Sequence, residues 1–181
     1  MTARVLVVDD ILSNVKLLEA KLAAEYFEVI TAFNGEQALE KVASELPDIV
    51  LLDVMMPGMD GFEVCRRIKA NPKSTHIPII MVTALDQPSD RVTGLEAGAD
   101  DFLTKPVDDL ALFSRVRSLV RLKMMTDELR MREETGQNMG LTDASETLID
   151  PSPTGRILIV EDRPESVAWF RAALEPKNKV A

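Results

Sequence analysis

An open α/β sheet, mostly parallel and covered by helices on both faces, is the fold this sequence predicts. Three observations carry that expectation. Short aliphatic runs without polar alternation recur along the first ~120 residues, the mark of strands buried on both faces. Amphipathic stretches with apolar residues three and four apart stand between them. The two kinds alternate strictly, and right-handed crossovers between parallel strands leave a doubly wound arrangement as the solution.

Val5-Leu6-Val7-Val8 is the first run, halted by Asp9-Asp10. A helix follows over Ser13 to Glu25, with Val15, Leu18 and Leu22 on one face and Ser13 as candidate N-cap. Glu28 to Thr31 reads as the second strand. Asn34 can cap a helix running to about Glu45, where Pro47 punctuates the end. Ile49 to Leu52 repeats the opening pattern, a buried strand ending in a carboxylate, Asp53. The loop Met55 to Gly61 leads to a helix over Phe62 to Ala70. Ile77 to Val82 is the fourth strand, with Thr83 at its end. A more polar helix over Pro88 to Ala97 precedes the fifth strand, Asp101 to Thr104, which Lys105-Pro106 terminates. A long helix begins near Asp108.

The 181 residues exceed one ordinary domain and fall short of two. Lys and Arg number 21 against 30 Asp and Glu, a net charge of −9, which argues against a nucleic-acid binder working by general attraction to phosphates. The single cysteine, Cys65, excludes an intramolecular disulfide framework. No signal peptide and no apolar run of the ~20 residues that span a membrane is present, so a cytoplasmic protein without a membrane partner is expected.

The remainder differs in kind. Leu122, Met125 and Leu129 continue the last helix to about Thr135, and Met139 to Gly155 has linker composition. Then the opening returns. Arg4 to Leu22 matches Arg156 to Leu174 at seven of 19 positions. The expected organisation is therefore a complete domain over 1–121, a helical extension over 122–135, a linker over 136–155, and the first strand and helix of a cut-off second domain over 156–181.

Polar residues fall on the carboxyl ends of the predicted strands, where such sheets bind ligands: Asp9, Asp10, Asp53, Thr83 and Lys105. Three carboxylates at one edge repel unless a cation or proton intervenes, and Mg²⁺ suits one or two carboxylates with water and phosphate oxygens. Lys105 can neutralise a phosphoryl group and Thr83 can donate to it. Together they point to phosphoryl transfer onto a carboxylate nucleophile. Taken singly, Asp9-Asp10 could simply cap a helix, and Lys105 could be a solvated charge; their joint placement is what points to function.

Those residues resemble the receiver domain of two-component response regulators over Arg4 to Arg121, through Val8-Asp9-Asp10, Asp53 with Met56-Pro57-Gly58-Met59-Asp60-Gly61, Thr83-Ala84, and Lys105-Pro106. The resemblance implies a flavodoxin-like (βα)5 fold with strand order 2-1-3-4-5, an order for which the receiver is itself a standing example. It implies that Asp53 accepts a phosphoryl group from a histidine kinase or phosphotransfer protein. Mg²⁺ is then held by Asp10, by Asp9 largely through water, by Asp53 and by the Met55 carbonyl. It further implies switch roles for Thr83 and Phe102, a cis Lys105-Pro106 bond, and a phosphorylation-dependent homodimer. Arg91, Asp101 and Arg115 are candidates to pair across that dimer's interface.

The chain also resembles the amino-terminal region of PleD-like diguanylate cyclases, through Leu17 to Leu22, Tyr26, Arg115 to Leu119, Asp127 to Arg130 and the second start at Arg156. In that family the second receiver is an adaptor that is not phosphorylated, and Glu161 here replaces the first acid of its pair. No Gly-Gly dipeptide, the core of the cyclase signature, occurs in the sequence. The chain is thus expected to be a regulator and not itself an enzyme. A phosphatase with an aspartyl nucleophile is the enzyme alternative, but Asp53-Val54-Met55 lacks the second acid of its Asp-x-Asp-x-Thr pattern. A phosphorylation-independent adaptor is the other alternative. His76 reads as a surface histidine, Cys65 as a packed side chain, the Met55, Met56 and Met59 cluster as loop packing, and Trp169-Phe170 as core of the second domain.

Overall fold

The computed structural model describes residues 2–84, 88–138, 156–157 and 179–180. The chain divides into two compact units, Met1–Arg132 and Glu133–Ala181. From the amino terminus, β1 (Arg4–Val8), α1 (Leu12–Ala24), β2 (Glu28–Ala32), α2 (Gly35–Glu45), β3 (Ile49–Leu52), α3 (Gly61–Ala70), β4 (Ile79–Thr83), α4 (Pro88–Glu96), β5 (Asp101–Thr104) and α5 (Asp109–Asn138) follow in order. The five strands form one parallel sheet in the order β2-β1-β3-β4-β5. The flavodoxin-like topology implied by the family resemblance is the one observed.

The two-residue period of the strands explains why both faces are apolar. Leu6, Val8, Val50, Leu52, Ile79 and Met81 face α2 and α3, meeting Val42, Val64, Cys65 and Ile68. Their neighbours Val5, Val7, Ile49, Leu51, Ile80 and Val82 face the opposite way, onto Val15, Leu18 and Leu22 of α1 and Leu112, Val116 and Val120 of α5. Each fully buried aliphatic side chain contributes about 1.5–3 kcal/mol. With charged residues confined to strand ends, that burial fixes the register and brings those ends to one edge.

Local chemistry sets most helix boundaries. Asn34 caps α2, its Oδ1 accepting from Gln37 N at 2.9 Å, and Asp60 caps α3 by accepting from Glu63 N at 2.8 Å. Ser13 does not cap α1. That helix starts earlier, behind Ile11, which makes no side-chain cap, and the Ile11 amide donates to Asp9 Oδ1 at 2.9 Å. Asp9 thus serves the turn into α1 as well as standing at the site, leaving Ser13 inside the helix. The fourth strand begins at Ile79 rather than Ile77, because Ile77 N and its carbonyl are taken up by Ser74 O and Lys69 Nζ. α5 extends to Asn138, a little beyond the expected end.

In the second unit, Arg156–Ile157 (β6) pairs in parallel with Lys179–Val180 (β7). A second strand is therefore present where the sequence suggested only a strand and a helix; Arg156 stands opposite Lys179 much as Arg4 stands opposite Glu28. The Met139 to Gly155 linker and Trp169-Phe170 lie outside the described residues.

Candidate functional site

The carboxyl ends of β1 and β3, adjacent strands inside the sheet, place Asp9 and Asp53 side by side, since Asp53 N donates to Val8 O at 2.9 Å. Both carboxylates are nearly sealed from solvent, at 1% and 4% exposure, whereas Asp10 is exposed. Lys105, carried in by β5, lies between them: its Nζ donates to Asp9 Oδ2 at 2.7 Å and to Asp53 Oδ2 at 2.9 Å. The loop holding Lys105 is itself pinned to β4, because Lys105 N donates to Thr83 O at 2.9 Å. Thr83 is buried, and the Lys105-Pro106 peptide is cis.

The electrostatics follow from this geometry. Burial pushes the Asp53 carboxyl above its ordinary range, opposed by the Lys105 hydrogen bond and charge, with Asp9 pushing it further up. Burial lowers the Lys105 ammonium, but the hydrogen bonds to Asp9 and Asp53 outweigh it and the net direction is up. One oxygen from each of Asp9, Asp10 and Asp53 lies within 4.8 Å of the others. Three hard anionic oxygens converging on one point, with one lysine against their combined charge, make a donor set that fits Mg²⁺.

Phe102 on β5 is half-buried against the α3 side of the core, its ring directly over Gly94 of α4. A methyl at Gly94 would lie 2.5 Å from Phe102 Cζ, so only glycine admits the ring there. The side chain of Met55 is exposed, and its amide donates to Asp53 Oδ1 at 3.3 Å. Of the three residues expected at a dimer interface, Arg115 and Asp101 form an ion pair within the chain, and Arg91 is exposed on α4.

Two residues of the site received no role in the sequence reading, one of them quoted there only as the end of the loop motif. Asn14 Nδ2 lies 3.1 Å from both Asp9 oxygens. Its only sequence signal is its place one turn into the helix after Asp9. Gly61 is the second, since a Cβ there would collide with the Asp53 carbonyl and lie 2.8 Å from Val54 Cα. We expect Gly61→Ala to cost about 2–3 kcal/mol by pushing the Asp53 segment off its seat. Thermal denaturation measures this, and a midpoint within a degree of wild type would refute the close-contact account.

Residues 5–117 match the response regulator receiver domain. The chain belongs to the receiver family of two-component response regulators. It is 59% identical over 179 residues to the response regulator PleD of Caulobacter vibrioides, covering 99% of this chain and 39% of that protein. The chain therefore spans about two fifths of that relative's length. The transcriptional regulator PhoP of Bacillus subtilis, associated by name with alkaline phosphatase synthesis, is 41% identical over 140 residues, 76% of this chain and 58% of that protein. Among solved structures, the receiver domain of a histidine kinase from Syntrophus aciditrophicus aligns with a TM-score of 0.63 at 37% identity, over 66% of this chain and 91% of that one. The chemotaxis protein CheY4 of Vibrio cholerae aligns at 0.63 with 31% identity, over 66% and 99%. As a receiver the chain is a regulatory module of two-component signalling, and its acidic pocket is the one described above. No helix among the described residues is long and apolar enough to cross a membrane.

Proposed function

We propose that Asp53 accepts a phosphoryl group from a sensor histidine kinase or phosphotransfer protein, and that the modified receiver dimerises to control an attached output. The observation that carries this reading is Lys105 Nζ shared between two buried carboxylates, Asp9 and Asp53, beside the third acid Asp10. An Asp53 oxygen attacks the phosphorus of a phosphohistidine; the O–P bond forms as the N–P bond breaks, and the imidazole leaves. Lys105 turns from Asp53 to the new phosphoryl oxygens while keeping Asp9, and the Thr83 hydroxyl donates to the same group. Asp9, Asp10, Asp53 and the Met55 carbonyl would hold Mg²⁺, which neutralises charge between carboxylates and phosphoryl oxygens when bound.

The added charge biases the face made by α4, β5 and α5 through Thr83 and Phe102. Val92 and Leu95, half or more exposed on α4 beside Arg91, give that face an apolar centre for a two-fold contact. Arg115 and Asp101 would exchange their intrachain pair for one across it. In this reading the receiver occupies 1–121, the helix extension 122–135, a linker 136–155 and the start of a second receiver 156–181. The whole forms the cytoplasmic regulatory region of a PleD-like diguanylate cyclase. The 181 residues make no catalyst of their own beyond taking up and losing the phosphoryl group.

Sedimentation velocity of the chain with Mg²⁺ and beryllofluoride is the test. A monomer without beryllofluoride and a dimer with it are expected, and Asp53→Asn should stay monomeric in both. An oligomeric state indifferent to beryllofluoride would favour the phosphorylation-independent adaptor.

A further inference from the structure

The pole opposite the phosphoacceptor holds a groove of about 870 Å³ between α2, α3, the loop before β4 and the extension of α5. Its floor is apolar: Leu39 and Val42 of α2 and Ile68 of α3, with Ala43 exposed at the edge. Its rim carries Arg67, Lys73 and Arg130, and no carboxylate among the described residues lines it, although the chain as a whole has a charge of −9. Arg67 shares a carboxylate with Arg66, both pairing with Glu63. His76 lines the groove as well, and its Nδ1 is buried without a hydrogen-bond partner among the described residues. Burial pushes the imidazole below its ordinary range; Asp127 opposes this, while Lys123, Arg130 and Lys69 reinforce it.

We propose that this groove binds a small soluble amphipathic anion, its apolar body on Val42, Ala43 and Ile68 and its acid head between Lys73 and Arg130. Concave, mostly apolar pockets of about 300–1,000 Å³ with a few convergent polar groups are the usual form of small-molecule sites. The position gives the ligand a consequence. Arg130 belongs to the α5 extension and Lys73 to the body of the receiver, so a shared anion ties the outgoing helix to the domain. This site is independent of the chemistry at Asp53.

The probe is 8-anilino-1-naphthalenesulfonate, an aromatic monoanion that fluoresces when desolvated, titrated into the full chain at neutral pH. Its uncharged counterpart, N-phenyl-1-naphthylamine, isolates the contribution of charge. Lys73→Gln with Arg130→Gln should weaken the anion by about tenfold, equivalent to about 1.4 kcal/mol, and leave the uncharged probe within twofold. Ala43→Trp, an exposed position whose indole fills the groove, should abolish both. All three substitutions are on the surface, and circular dichroism checks that the fold is kept. Octyl phosphate below its micellar concentration should displace the probe from wild type. Less than threefold weakening in the double variant, or probe binding unchanged by Ala43→Trp, overturns the site. Co-sedimentation with phosphatidylglycerol vesicles that the double variant loses would overturn the soluble ligand in favour of a membrane headgroup.

Discussion

Asp53→Asn is expected to take up no phosphoryl group from acetyl phosphate and Mg²⁺, under conditions where the wild-type chain is modified to saturation. The substitution keeps the shape of the side chain and removes the nucleophile, so intact-mass spectrometry separates chemistry from folding. Labelling equal to wild type would remove Asp53 from the mechanism. The same variant carries a stability signature of opposite sign. Because the Asp53 carboxyl is raised by burial, the folded state binds a proton more readily than the unfolded chain. The group therefore costs stability at neutral pH, and that cost disappears as pH falls through its folded range. Without divalent ions at pH 7.5, Asp53→Asn should be more stable than wild type, with the gap narrowing on acidification. A variant less stable than wild type at every pH would contradict the burial argument.

Lys105→Met should have the largest effect on stability. It deletes the cation 2.7 Å from Asp9 and 2.9 Å from Asp53 and leaves two buried carboxylates facing each other. Removing one partner of a buried ion pair costs about 3–5 kcal/mol. The remaining polar contacts, Asn14 on both Asp9 oxygens and the Ile11 and Met55 amides, hold the carboxylates in place and put the expectation at the lower end. A loss of about 3 kcal/mol lowers the melting midpoint of a domain this size by about 10 °C. The deficit should shrink in two ways. Mg²⁺ replaces the missing positive charge and should raise the variant's midpoint more than that of wild type. Acid protonates Asp53, whose carboxyl loses the Lys105 hydrogen bond and charge that oppose its rise, so the variant gains on wild type as pH falls. Differential scanning calorimetry in EDTA and in Mg²⁺ measures each. Equal midpoints for variant and wild type in EDTA would show that Lys105 does not hold the pair.

These two residues also show how far the sequence could be read. Asp53 was legible because it terminates an aliphatic run, Lys105 because with Pro106 it terminates the fifth strand, and strand ends in a parallel sheet converge on one edge. Nothing local reveals that Lys105 is shared between Asp9 and Asp53, partners 96 and 52 residues away in the chain. Arg115 was expected to reach across to a second molecule, yet it first finds Asp101 on the neighbouring strand of its own chain. Ser13 had the right residue type for a cap and the wrong position, because Asp9 already accepts the Ile11 amide at the turn. Gly61 and Gly94 carry no local signal of what surrounds them; their lack of a side chain matters because the Asp53 backbone and the Phe102 ring approach them.

The sequence alone determined the order of strands and helices, which faces are apolar, and the list of polar residues at the carboxyl edge. Those properties repeat every two or 3.6 residues, so a short window contains them, and burial of the apolar faces leaves few ways to assemble the sheet. Only the tertiary structure decided which donor meets which acceptor: Lys105 between two carboxylates, Asn14 on Asp9, and a cationic groove formed by residues from α2, α3 and the α5 extension. Such contacts depend on side-chain rotamers and on ångström-scale distances between elements far apart in sequence, and no periodicity encodes them.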